Sequence, residues 1–482
     1  MGDETVDQPA DELCFDTAVG LAQEIHEGRL SARDVMEAHL RRIERINPRV
    51  NAIVSMIPER AMEAAAAADE RQAAGEELGP LHGLPIAHKD LTDTAGVRTT
   101  YGSPIFRNHV PERDSLLVER LRGAGALMLG KTNVPEFGTG SQTFNPIFGA
   151  TRNPYDLSRT AGGSSGGAGA ALAARLLPVA DGSDLGGSLR NPASFCNVVG
   201  FRTSGARVPV WPSSMPWNTL PVEGAMGRTV ADTALLLSAM AGPDPRSPVA
   251  YGDDPSIFRS ALDRDLKGLR VAWSADFGGQ LPVEPVVVRQ LDAQRSVFED
   301  MGAVVEEAVP DLGGFDEVFR TLRALIYANK CGPLLEEHRD LMKDTAVQNT
   351  EIGLALTGVD VARAESLRAE LFHRTRTFFQ RFDCLVLPSA LVPPFDVEVE
   401  WARVVAGVEQ PDYLGWMAAC TAITATGHPA ISVPAGFATD SGSELPIGMQ
   451  IVGPHPDDFG LLQIAHAFEQ ATGFWRRLPD LA

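Results

Sequence analysis

Two hydroxyl-bearing turns embedded in glycine could do chemistry: AGGSSGGAGA at 161–170 and DGSDLGGSLRNPASFC at 181–196. In the second, Leu185, Gly186, Gly187 and Ser188 offer successive backbone N–H groups beside a serine. Such small peptides let donors converge where negative charge develops during acyl transfer, which is how an oxyanion hole is built. A nucleophilic serine needs a base, and no His/Asp arrangement with a GxSxG elbow accompanies this one. A lysine can serve if burial disfavours its charged form. Lys89, in the apolar segment GLPIAHKDL, has the right surroundings. The same glycine-rich stretch could equally bind phosphate through backbone nests, so residue types alone leave both chemistries standing.

Other motifs say less. Gly125, four residues and Gly130-Lys131-Thr132 match the P-loop pattern literally, but Ala-Leu-Met-Leu between them should form a strand where a P-loop needs a turn. The ten histidines are scattered, without HExxH or close Cys and Asp partners, so no metal centre is expected. With 63 acidic against 42 basic residues, a net charge of −21 and a pI near 4.9, the chain lacks a nucleic-acid footprint. Five dispersed cysteines, none in a CxxC pair, read as a reducing compartment. The acidic start MGDETVDQPADEL has neither the basic nor the apolar region of a signal peptide, and no run reaches the ~18 apolar residues of a membrane span. The reading is a cytoplasmic protein with no membrane partner.

The elements that must hold these residues follow from periodicity. Ser31 opens SARDVMEAHLRRIERIN as a helix, with Asp34 as an acidic capping partner and Asn47-Pro48 as its stop. The alanine-rich stretch 60–74 predicts a second helix. From residue 84 to about 205, short apolar strands (GLPIAHKD, GALMLG, LLPVADGS) alternate with helical stretches such as 115–123, which argues an α/β fold. Residues 230–382 read as helices joined by loops. The proline-rich loop 208–223 carries Trp211, Met215 and Trp217, which suit a pocket wall. Near the C-terminus, DCLVLPSA, AISVPAGF and PIGMQIVG read as strands and 461–472 as a closing helix.

The segment GGSSGGAGAALAARLLPVADGSDLGGSLRNPA (162–193) resembles the signature of the amidase signature family. The likeness extends to GLPIAHKDLTDTAGVRTTYGS (83–103), GKTNVPEFG (130–138), TRNPYDLSRTAGGSSGG (151–167), HPAISVPAGF (428–437) and LPIGMQIVGP (445–454), and so covers most of the chain. The spacing fits too: 24 residues separate the two serines and 75 separate the lysine from the first.

By position, the resemblance implies Ser188 as nucleophile, Ser164 as a bridging serine on a cis peptide, and Lys89 as terminal base. It implies an oxyanion hole from the N–H groups of Leu185, Gly186, Gly187 and Ser188, with Ser165 holding Lys89 and Asp184 and Arg190 as framework partners. Where many relatives have threonine, this chain has Leu185, which keeps the backbone donor. The implied fold is a large mixed β-sheet sandwiched between helices, as one domain over 1–482. Its N-terminal helices occupy 1–80, the catalytic core 81–230, a variable helical lid 231–382, and the closing core strands and helix 383–482. No cofactor or metal is implied. The implied activity is hydrolysis of C–N amide bonds in small apolar or aryl substrates, with carbamate (urethane) and ester hydrolysis chemically adjacent, and homodimers are common in the family.

Two other functions share these motifs. The glutaminase subunit of the tRNA-dependent amidotransferase resembles the core equally, but its usual SSLDQIGP stretch is replaced here by WPSSMPWNTLPVEGAMGRT. A non-catalytic binding protein could keep the fold, but all three catalytic positions are intact. Lys89 as base predicts that activity falls at acidic pH.

Overall fold

The computed structural model describes residues 8–440 and 442–481. Residues 1–7, the first part of the start read as leader-free, lie outside the described residues.

Eleven strands matter for the site. β1 (Ile53–Val54), β2 (Pro85–Lys89) and β3 (Leu127–Thr132) form a small sheet in which β3 is central, parallel to β2 and antiparallel to β1. β4 (Val179–Asp184), β5 (Val199–Arg202), β6 (Val222–Gly227), β7 (Arg270–Trp273), β8 (Val304–Glu307), β9 (Cys384–Pro388), β10 (Ala430–Asp440) and β11 (Ser443–Val452) build an eight-stranded sheet. Its order is β8-β7-β9-β11-β10-β5-β6-β4. β7 pairs in parallel with β8 and β9, and the remaining pairs are antiparallel, so the sheet is mixed as expected. β2, β9 and the inner part of β10 are buried at every position; β9 and the inner part of β10 read as largely apolar runs because both faces are covered, whereas β2 carries the buried polar pair His88 and Lys89.

Local signals explain the element ends. Ser31 caps the helix Ala32–Val50, its Oγ accepting the Asp34 N–H at 3.0 Å. That helix runs past the predicted stop at Asn47-Pro48 and ends at Asn51, which takes a left-handed conformation at φ 49°. A proline in the last turn removes only one internal bond, and the Asn47 side chain compensates by accepting the N–H groups of Ala52 and Ile53. The alanine-rich helix spans Pro58–Ala73, and the closing helix begins at Asp458, three residues before its predicted start.

Residues 230–382 depart from the helical reading. They contain the helix Phe315–His338, which borders the site, but they also supply β7 and β8 to the sheet edge. These strands are four residues each, and half-exposed or exposed positions in β8 leave too little alternation to see. One hydrophobic core unites residues from Ala18 to Phe468, and a second lies beneath the helices Ala32–Val50 and Gly166–Ala173.

Candidate active site

Lys89 ends β2 and is buried. Its Nζ donates to Ser164 Oγ at 2.8 Å, to Ser183 Oγ at 3.0 Å and to the Ser183 carbonyl at 3.3 Å. Burial pushes this amine below the ordinary lysine range, while the carboxylates of Glu223, Asp184 and Asp181 pull it partly back. Neutral lysine is therefore accessible near neutrality. Lys131, the P-loop-like lysine, is also buried and pushed down to about 8 by burial. It sits in β3 and donates to Thr92 O and to Thr94 Oγ1 at 2.7 Å, away from both serines. Only one of the two buried lysines thus reaches a candidate nucleophilic chain.

Ser164 follows a cis peptide from Gly163, as the resemblance implies. The Gly163 carbonyl accepts from Ser141 Oγ, which accepts in turn from Asn191 Nδ2 at 3.0 Å. Ser188 lies in the turn between β4 and the short helix Arg190–Phe195. Ser164, Ser183, Leu185 and Ser188 line a common cavity of about 390 Å³.

The Ser188 turn is framed by charge. The buried Asp184 carboxylate accepts the N–H of Gly187 at 2.9 Å and of Leu189 at 3.2 Å, with Arg190 Nε and Nη2 both at 3.0 Å. Arg202 adds a contact at 3.4 Å and donates to the Asp184 carbonyl at 2.6 Å. Burial alone would raise this carboxyl, but the Arg190 and Arg202 guanidiniums outweigh it and hold it well below the usual range. Arg190 also reaches Gln450 and Thr424 at 2.9 Å each, tying the turn to β11 and to the helix Ala418–Thr426. Asp184 and Arg190 thus hold the turn through a buried ion pair. Gly187 has φ +105°, and a Cβ there would stand 2.5 Å from Cys420 Cβ, so only glycine fits.

Several expectations need correcting. Gly187 spends its N–H on Asp184, whereas the N–H groups of Leu185, Gly186 and Ser188 donate to no protein acceptor among the described residues. Ser165 does not hold Lys89: Ser183 does, and Ser165 Oγ is buried without a hydrogen-bond partner. Met215 lines the cavity, but Trp217 is 72% exposed and lines neither chamber. Trp211 lines an adjoining chamber with Tyr101, Phe106 and Phe137, and its ring is covered by the Arg246 guanidinium 4.6 Å from the ring centre. Ser183, Glu223 and Lys330 also border the cavity; Ser183 lies within the glycine-rich 181–196 segment but is not singled out there, and no motif points to Glu223 or Lys330. Ser183 could have been found from strand alternation in VADGSD; Lys330, on a helix far along the chain, left no signal.

Among the described residues, no group of three or more His, Cys, Asp or Glu side chains could hold a metal ion, and no helix is long and apolar enough to cross a membrane. His88 Nδ1 instead contacts Asp181 at 2.7 Å, and the same carboxylate accepts the Lys89 N–H at 3.2 Å.

Known proteins resemble this chain over most of its length. The family model described as Amidase matches residues 34–462. An acylamidase of Rhodococcus erythropolis is 38% identical, covering 96% of this chain and 97% of the relative. The glutamyl-tRNA(Gln) amidotransferase A subunit of Methylococcus capsulatus is 33% identical over 96% of this chain and 98% of its own. Among solved structures, a bacterial aryl acylamidase of the amidase signature enzymes superposes with a TM-score of 0.89 at 29% identity, covering 96% of this chain and 98% of the other. With a matched family model, a full-length acylamidase relative and the mixed sheet in common, this chain belongs to the amidase signature family and is an amidase.

Proposed function

We propose that this amidase works through a Ser188–Ser164–Lys89 relay on small, mainly apolar or aryl amides, with aryl carbamates and esters as adjacent substrates. The observation that carries the relay is the 2.8 Å contact of the buried Lys89 Nζ with Ser164 Oγ, on the wall of the cavity that Ser188 also lines. Neutral Lys89 takes the Ser164 proton as Ser164 takes that of Ser188, whose Oγ bonds to the carbonyl carbon. The N–H groups of Leu185, Gly186 and Ser188 receive the developing oxyanion. As the C–N bond breaks, the proton returns through Ser164 to the leaving nitrogen. Water then repeats the sequence on the acyl-enzyme.

The apolar preference is supported by Leu91, Phe137, Val208, Val210, Met215 and Ile326 on the cavity wall. Five free, buried cysteines are in keeping with a cytoplasmic enzyme. A homodimer is the assembly we propose, and sedimentation velocity checks it. The glutaminase reading is favoured by the amidotransferase relatives. Turnover of an anilide, an aryl carbamate, a primary amide and glutamine decides between them: the anilide and carbamate should be cleaved, and hydrolysis of glutamine alone would overturn the proposal.

A further inference from the structure

The carboxylates around Lys89 are not equivalent. From its own strand, the neighbouring His88 turns to Asp181. On β3, Lys131 is bound to Thr92 and Thr94. On β4, Asp181 is engaged by His88 and by the Lys89 N–H, and Asp184 by Arg190 and Arg202. On β6, Glu223 forms no salt bridge within the described residues, although it is half-buried on the cavity wall. The helix Phe315–His338 adds one cation to the same wall, the exposed Lys330. Glu223 is therefore the one carboxylate here whose charge is uncommitted.

Its position follows from strand register. Glu223 stands directly opposite Ser183 in the antiparallel β4–β6 pair. Opposite residues project from the same sheet face with Cβ atoms about 4.5–5.5 Å apart. Ser183 Oγ is the second hydroxyl bound to Lys89 Nζ, at 3.0 Å. The same face that presents Ser183 to the lysine thus presents Glu223 beside it, and both border the cavity holding Ser164 and Ser188.

We propose that Glu223 is a positioning residue for the Lys89 amine, facing the ammonium formed during acyl transfer and setting the pH at which the amine can act as base. This rests on the relay proposed above. When the Ser188 proton passes to Ser164 and the Ser164 proton to Lys89, the carbonyl oxygen gains negative charge and Lys89 becomes an ammonium. Glu223 acts in its ionised form, which burial makes harder to reach by pushing its carboxyl up to about 7, and it takes no proton from the relay. Its negative charge offsets the new cation, which burial alone would penalise, and the ammonium then returns its proton towards the leaving nitrogen. Burial raises the Glu223 carboxyl and Lys89 lowers it in return, as expected if the two groups share one field. Lys330 acts in the opposite sense on Lys89.

The test is the pH profile of kcat/KM on an anilide for wild type, Glu223→Gln, Lys330→Gln and Lys89→Ala. Removing the carboxylate should move the acid limb of Glu223→Gln to lower pH by about one unit, with a limiting kcat about 10-fold below wild type. Lys330→Gln should move the limb to higher pH. A merely structural Glu223 would lower the rate without moving the limb, and a Glu223→Gln limb superimposed on wild type overturns the proposal. If Glu223→Gln does not fold, Glu223→Asp carries the test. It keeps the charge but withdraws it by one methylene, and its limb must lie below that of wild type; an unmoved limb overturns the proposal. An active Lys89→Ala would instead refute the relay itself, so the two failures are distinguishable.

Discussion

Asparagine at position 184 removes one charge and almost no volume, so it isolates what holds the Ser188 turn. Asp184 Oδ1 faces the donors of Gly187, Arg190 and Arg202, and Oδ2 faces those of Leu189 and Arg190. Every neighbour is a donor, so an amide NH2 in either orientation meets at least two N–H groups. The substitution also leaves Arg190, fully buried, without its counter-charge. Breaking a buried ion pair from one side costs about 3–5 kcal/mol, and we expect Asp184→Asn to lose stability in that range, together with activity. Urea midpoints read the first and initial rates on an anilide the second. The pH dependence has a definite sign. The folded carboxyl is held below its unfolded value, so its contribution is present above the ordinary aspartate range and is lost as pH falls towards the folded value. Wild type and variant should therefore converge in stability only at strongly acidic pH. A variant within about 1 kcal/mol of wild type at pH 7, with normal activity, would refute the charge-framed turn.

Other perturbations follow from the same geometry. Gly187→Ala puts a Cβ 2.5 Å from Cys420 Cβ at φ +105°, and the displaced turn should lower kcat by about 10²-fold, measured by steady-state kinetics. Met215→Ala, on the cavity wall, should raise KM for apolar anilides, whereas Trp217→Ala, 72% exposed, should leave kcat/KM within about two-fold of wild type. Burial raises the Glu469 carboxyl to about 8 in the folded protein, so the stability tied to its bound proton is present below the ordinary glutamate range and is lost as pH rises towards 8. Urea midpoints of Glu469→Gln should accordingly gain on wild type between pH 5 and pH 8.

The parts of the site that lie within one segment were legible in the sequence. The Leu185–Ser188 turn announces itself through glycine, and Lys89 through the apolar strand it ends. Ser164 needed the family resemblance, because nothing local says that a serine 75 residues from the lysine will lie 2.8 Å from it. Ser165 was the wrong neighbour: the alternation of β4 turns Ser183, not Ser165, towards the amine. Gly187 looked like an oxyanion donor because a sequence cannot show that the Asp184 side chain folds back onto it. Glu223 and Lys330 enter only through strand register and the packing of a helix more than 100 residues away in sequence. In the fold, long buried strands such as β10 were visible, but the four-residue β7 and β8 were not, since β7 joins the sheet by pairing with β9, and β8 by pairing with β7. Trp217 suggested a pocket wall by type alone, and tertiary placement turned it to solvent.

The relay of Ser188, Ser164 and Lys89 is tested most directly by peptide mass spectrometry after exposure to a fluorophosphonate, on wild type, Ser188→Ala and Lys89→Ala. The relay predicts one labelled peptide in wild type, modified at Ser188, and no label in either variant. Label on another serine, or undiminished labelling of Ser188 in Lys89→Ala, would contradict it.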